Sequence, residues 1–323
     1  MTAQAFPADI HALAFAAGAV GVPLNSTEVA EILGIPFLIV GSEEWLDRAV
    51  LSLYPRMRTV IPESLVLFRR ELYQRLRVRG VDVRTEWCAD VGSIPTYLQE
   101  LPPAFGVWMC LTASEERIPL FVAAGDDWVD VSLPGERWQA ALATMHAPNG
   151  FLWIAVSRCV PYQAQTIAQE VRWARVLLQS EHIWRFPTPN HPLRLWQSWH
   201  VGASALEVIA LAARDAAPLS IVSDTVAGVF GHFHARAHHA HRIVQRWNTH
   251  SAQLIDPLYG HALASAYEDV LYLFAIVTTQ FPPGAPIRAL TLAEGTLISE
   301  VCRDARLVYK DIIELLDVSG GLE

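Results

Sequence analysis

The spacing of apolar and polar residues changes along the chain. Early on it follows a helical period. Small and aliphatic residues from Ile10 to Val20 predict a helix that Asp9 can cap. Asn25 with Glu28 has capping-box spacing for a second helix, ending at Gly34. Phe37–Val40 is a short apolar run, and a further helix is expected over Glu43–Leu53, stopped by Pro55. Pro62 opens a longer one, with Gly80 as its C-terminal cap.

From residue 81 the period shortens to two. Val81–Trp87, Phe105–Thr112, Ile118–Ala124, Trp128–Leu133 and Gly150–Ser157 are β-branched or aromatic runs bounded by turn residues. They predict strands of a mostly antiparallel sheet, with helices over Ser93–Leu101 and Gly135–Ala147 set among them. Beyond Tyr162 only helical patterns are found, over Gln163–Ser180, Leu193–Arg214, Ser220–Trp247, Pro257–Gln280 and Ile287–Leu316. The expectation is an α+β fold with two domains: residues 1–158 with a small antiparallel sheet, and residues 159–323 as an α-helical bundle.

Composition narrows the function classes. A hydrophobic content of 52% allows a large core, and the net charge of −9 argues against a phosphate-backbone partner. Arg69, Arg70, Arg75, Arg77, Arg79 and Arg84 form a local basic run, read as a solvated face. Cys88, Cys110, Cys159 and Cys302 show no paired spacing, so reduced thiols in a cytoplasmic protein are expected. The first residues lack a basic n-region, which predicts no signal peptide. Ala205–Ala213 and Val270–Val277 are shorter than the roughly 20 apolar residues of a bilayer span.

Several segments, taken in order, resemble a known family. These are His11–Val22, Ser26–Phe37, Phe121–Asp127 with Trp128–Val131, Leu195–Trp199, His234–Ala240, and Tyr267 followed by Phe281-Pro-Pro. Together they resemble a bacterial branch of the papain-like cysteine peptidases: leader-processing peptidases and the butirosin-type acyltransferase, with a helical C-terminal domain. The resemblance implies a papain-like domain, here degenerate, over residues 1–158. It also implies a cysteine at the start of the first long helix, where the helix dipole favours a thiolate. This sequence reads Ala8-Asp-Ile-His there. The resemblance implies a histidine leading into the strand before Gly125-Asp-Asp, where this chain has Glu116–Phe121.

A non-catalytic binding or scaffold protein is therefore the leading expectation. A second is an acyl-transfer or amide-cleaving enzyme with an unrecognised nucleophile, for which Cys88 and His146 are the substitute nucleophile and base. Trp196 and Trp199 are candidate ligand-binding residues among 11 tryptophans, set against a purely packing role. A third expectation rests on His234, His238 and His241, which share one helical strip with Gln245 and could take a transition metal. That helix holds no Asp or Glu between Asp224 and Asp256, so carboxylates would come from Glu268, Asp269 or Glu300. His232 and His239 are expected to face solvent. No other cofactor is expected, nor a nucleic acid or a membrane span. The partner is an unidentified protein or small molecule, with homo-oligomer or complex subunit as possible assemblies.

Overall fold

A computed structural model describes residues 8–41, 72–88, 106–111, 120–124, 127–130, 151–162, 166–179, 183–187, 196–216, 223–250 and 257–320. The expected helices over Glu43–Leu53, Ser93–Leu101 and Gly135–Ala147 lie outside these residues. The architecture is helical with two small antiparallel sheets, an α+β arrangement. Compactness divides the chain into two units. One comprises Phe6–Leu33 with Leu53–Ala164; the other comprises Met1–Ala5, Gly34–Ser52 and Gln165–Glu323.

The first unit holds α1 (Ala8–Ala19), α2 (Ser26–Leu33) and a five-stranded sheet. The capping box on α2 is realised in both directions. The Asn25 N–H donates to Glu28 Oε2 at 2.8 Å, and the Glu28 N–H donates to Asn25 Oδ1 at 2.9 Å. Within the stretch where a helix was expected from Pro62, the described residues 72–74 are helical and Arg75–Arg79 form a 3₁₀ turn. Gly80 closes it at φ 79°, a left-handed conformation that a side chain would strain.

β2 (Val81–Cys88) and β6 (Phe151–Arg158) then pair over eight residues, from Val81 opposite Arg158 to Cys88 opposite Phe151. β3 (Gly106–Leu111), β4 (Leu120–Ala124) and β5 (Asp127–Asp130) complete the order β2-β6-β3-β4-β5. All five runs read as strands from their period of two are strands, and every pairing is antiparallel. Val81, Val83, Ile154 and Val156 are buried while Arg84 and Arg158 are exposed. α1 lies against β3 and β6.

The second unit is built on α3 (Ile167–Gln179), α4 (Ser204–Ala216), α5 (Ser223–His250), α6 (Pro257–Gln280) and α7 (Leu292–Gly320). α6 packs between α5 and α7, and α7 packs on α3 and α4. The purely helical reading of this half is corrected by a three-stranded antiparallel sheet. β8 (Trp196–Val201) is its centre, flanked by β7 (Ile183–Pro187) and by the two-residue β1 (Val40–Gly41). Leu193–Arg214 was expected to be one helix. Instead Trp196–Val201 is extended, Gly202 turns the chain at φ 82°, and α4 follows. The physical reason is non-local: β8 finds Ile183–Pro187 on one side and Val40–Gly41 on the other, and these ladders outweigh local propensity.

Candidate functional site

Each candidate falls at a definite place. Cys88 ends β2 opposite Phe151, and His146 lies outside the described residues. Trp196 and Trp199 are strand residues of β8, opposite Pro187 and Trp184.

The histidine strip is on α5. Phe230, Phe233, Ala237, Ala240 and Val244 form the expected buried stripe, extended by Trp247. Beside it, His234 is half-buried; burial and the charge of His238 hold its pKa below the usual imidazole value. His238 is exposed, with the His239 ring edge-on to it at 6.4 Å. His232 and His239 are half-buried, a departure from the solvent-facing positions expected of them. His241 Nε2 lies 3.3 Å from Gln245 Nε2 and 3.6 Å from Glu268 Oε1 on α6. A neutral imidazole accepts from the Gln245 amide there, and a protonated one faces the carboxylate. Glu268 thus does approach the strip, but at one histidine. Among the described residues no group of three or more His, Cys, Asp or Glu side chains is arranged to hold a metal ion.

The residues carrying the family resemblance meet elsewhere. Gly34 at φ 77° starts the 3₁₀ turn Ile35–Phe37, and a Cβ there would stand 2.7 Å from both Leu177 and Trp173 of α3. The turn delivers Phe37 into the core of the helical unit. Its ring stacks on Trp247 at 5.5 Å, with 8° between the planes, and meets Tyr267 edge-on at 6.3 Å. Trp247 Nε1–H donates to Glu170 Oε2 at 2.7 Å. Arg236 Nη1 donates to the Leu38 carbonyl at 2.9 Å, joining residues 198 apart in sequence. Tyr267 also packs edge-on against Tyr309. Motifs read separately in the sequence thus form one aromatic and cationic knot. Their order along the chain was legible, their convergence was not.

The knot is poorly suited to proton transfer. Burial, followed by the neighbouring Tyr309, raises the Tyr267 phenol well above its ordinary value; burial also raises Tyr309, against the opposing Arg236 charge. Tyr267 Oη is fully buried and makes no hydrogen bond among the described residues.

One further pair escaped the sequence reading. Ser26 Oγ lies 2.8 Å from His11 Nδ1, joining the first turn of α2 to α1. A hydroxyl at a helix N-terminus beside an imidazole is the geometry of an activated nucleophile. Here, however, His11 Nε2 is buried without a hydrogen-bond partner among the described residues. For Nδ1 to accept the Ser26 hydroxyl proton, the ring hydrogen must sit on Nε2, a buried N–H with no such partner, which disfavours that arrangement. No family model, curated protein or solved structure matches this chain.

Proposed function

We propose that the chain is a non-catalytic relative of the papain-like peptidases, retained as a binding or scaffold protein. The observation that carries this reading is the first turn of α1. It presents Ala8, Asp9, Ile10 and His11 where the resemblance calls for a cysteine. Among the described residues no cysteine lies in the first turn of a helix. Cys88 and Cys110 are strand residues, Cys159 follows β6, and Cys302 lies inside α7. Burial and then the Asp82 carboxylate raise the Cys159 thiol, against smaller opposing effects of Arg77. Burial raises Cys302 further still. A nucleophilic cysteine needs the reverse shift.

The acyl-transfer reading is favoured by one observation, the hydrogen bond between Ser26 and His11. In that reading Ser26 Oγ attacks an acyl carbonyl and its proton passes to His11 Nδ1. Intact-mass analysis after exposure to a fluorophosphonate and, separately, to a thiol-reactive acyl analogue decides between the two. The scaffold reading expects no stoichiometric labelling at a single residue. Labelling abolished by Ser26→Ala, or hydrolase or acyltransferase activity abolished by Cys88→Ala, overturns it.

A further inference from the structure

Among the described residues, α6 is long and apolar enough to cross a membrane, by length and composition. Its inner face, Gly260, Leu263, Tyr267, Val270, Phe274 and Val277, is committed to the core of the helical unit. Yet only 33% of its most apolar window, of mean hydropathy 1.2, is buried inside the chain.

The outer strip consists of Leu258, His261, Ala262, Ser265, Glu268, Asp269 and Tyr272, all exposed, with Leu258 at 75% and Tyr272 at 71%. At about 100° per residue these seven share one face, with Ser265 at its midpoint along and around the helix. A two-fold axis through Ser265 sets a second copy of α6 antiparallel to the first. Residues on the same edge of the strip then meet: His261 meets Glu268 and Ala262 meets Asp269, with Leu258 against Tyr272 and Ser265 against itself near the centre line. Both ends of the strip are apolar. An imidazole N–H, a donor in either protonation state, faces a carboxylate twice over. The centre is small enough for close approach of two backbones. No carboxylate faces a carboxylate, whereas a parallel pairing in register would set Glu268 against Asp269 on both edges. The two carboxylates in the strip also disfavour a hydrocarbon environment.

We propose that the outer face of α6 is an isologous docking surface for a second copy of this chain, antiparallel and centred on Ser265. The assignment is independent of whether the protein turns over a substrate.

Sedimentation equilibrium of the full chain over about 1 to 100 µM, a range suited to a small helix-pair interface, tests it. The expected result is a concentration-dependent rise towards twice the 35.8 kDa of one chain. Ser265→Arg should remain at the monomer mass with an unchanged far-ultraviolet spectrum. Ser265→Cys should give a covalent dimer when diamide removes two electrons and two protons from the facing thiols, under conditions that leave wild type uncrosslinked. Glu268→His should weaken association by opposing two imidazoles, and adding His261→Glu should restore it. A wild-type chain that stays monomeric across the range overturns the proposal, as does a dimer that Ser265→Arg leaves intact or a swap that restores nothing. A monomer that instead floats with phosphatidylcholine vesicles overturns it too, and assigns the face to a lipid surface.

Discussion

Two strips of α5 run side by side with the same period and almost no energetic resemblance. The inner one, Phe230 to Trp247, is aromatic and aliphatic and almost wholly buried. The flanking one has His234 and His241 part-buried and His238 exposed, with polar contacts to Gln245 and Glu268. Repetition of one residue type draws attention to the flank. Burial puts the free energy in the stripe, because apolar area removed from water contributes in proportion to that area while exposed polar contacts exchange with solvent.

The largest effect expected of this difference is at Trp247. Its indole is 1% exposed, stacks on Phe37 and donates to Glu170. Trp247→Ala removes all three contributions and leaves a cavity, a loss of about 3–5 kcal/mol. The midpoint of urea unfolding, followed by far-ultraviolet circular dichroism, measures it. A loss below about 1 kcal/mol would dissolve the contrast between stripe and flank.

Next comes acid sensitivity, where the histidines would be expected to dominate and do not. Glu294 caps α7: the Thr291 N–H donates to its Oε2 at 2.8 Å, and Arg288 donates to both carboxylate oxygens. Hydrogen bonding from Arg288, opposed by burial and aided by Thr291, holds its pKa to about 2. A carboxylate with a depressed folded-state pKa contributes stability that is complete above its unfolded value, near 4.3. That contribution fades as pH falls towards 2, and is on the order of 3 kcal/mol at most. His234, also depressed, acts in a separate and higher window, stabilising above about pH 6.5 and losing that contribution as pH falls below it. Stability measured from pH 8 to pH 2 should therefore fall in two steps. Glu294→Gln should flatten the acidic step and His234→Phe the one near neutrality. An acidic step unchanged in Glu294→Gln would place the pH leverage elsewhere.

What the sequence disclosed follows from how locally each feature is encoded. The Asn25–Glu28 cap, Gly80, the five strands of the larger sheet and the bounds of α6 depend on neighbours within a few residues, and a periodic reading finds them. β8 resists such a reading because its partners are Ile183–Pro187 and Val40–Gly41. The knot resists it for the same reason: Arg236 bonds a carbonyl 198 residues away, and Phe37 reaches Trp247 from the other end of the chain. Ser26 and His11 sit 15 residues apart on two helices, a spacing that no motif announces. The histidine strip was legible as a strip, yet Glu268 alone among the expected carboxylates is seen beside it.

The knot yields a smaller prediction of opposite sign. Among the described residues Tyr267 Oη is buried without a hydrogen-bond partner, so its desolvation is uncompensated there. Tyr267→Phe keeps the ring contacts with Phe37 and Tyr309 and removes the unsatisfied group. The variant should be as stable as wild type or more so, by up to about 1 kcal/mol in urea unfolding. A loss of 2 kcal/mol or more, large for a single hydroxyl, would mean that the phenol has a partner worth identifying.

The smallest expected effect is on the flank itself. His238 is exposed, and its nearest aromatic neighbour, His239, is edge-on at a separation where such contacts contribute little beside solvent. His238→Ala also replaces a middling helix former by the strongest one. These two effects oppose each other, so stability should change by less than about 0.5 kcal/mol in either direction. The same variant separates a polar boundary from a metal helix. If His234, His238 and His241 act together on an ion, removing His238 lowers the metal content of protein purified without a histidine tag, by elemental analysis. It also shifts the unfolding midpoint by far more than an exposed side chain can. If the strip is a solvated edge, neither quantity moves, and the histidines differ from the buried stripe beside them in consequence as well as in composition.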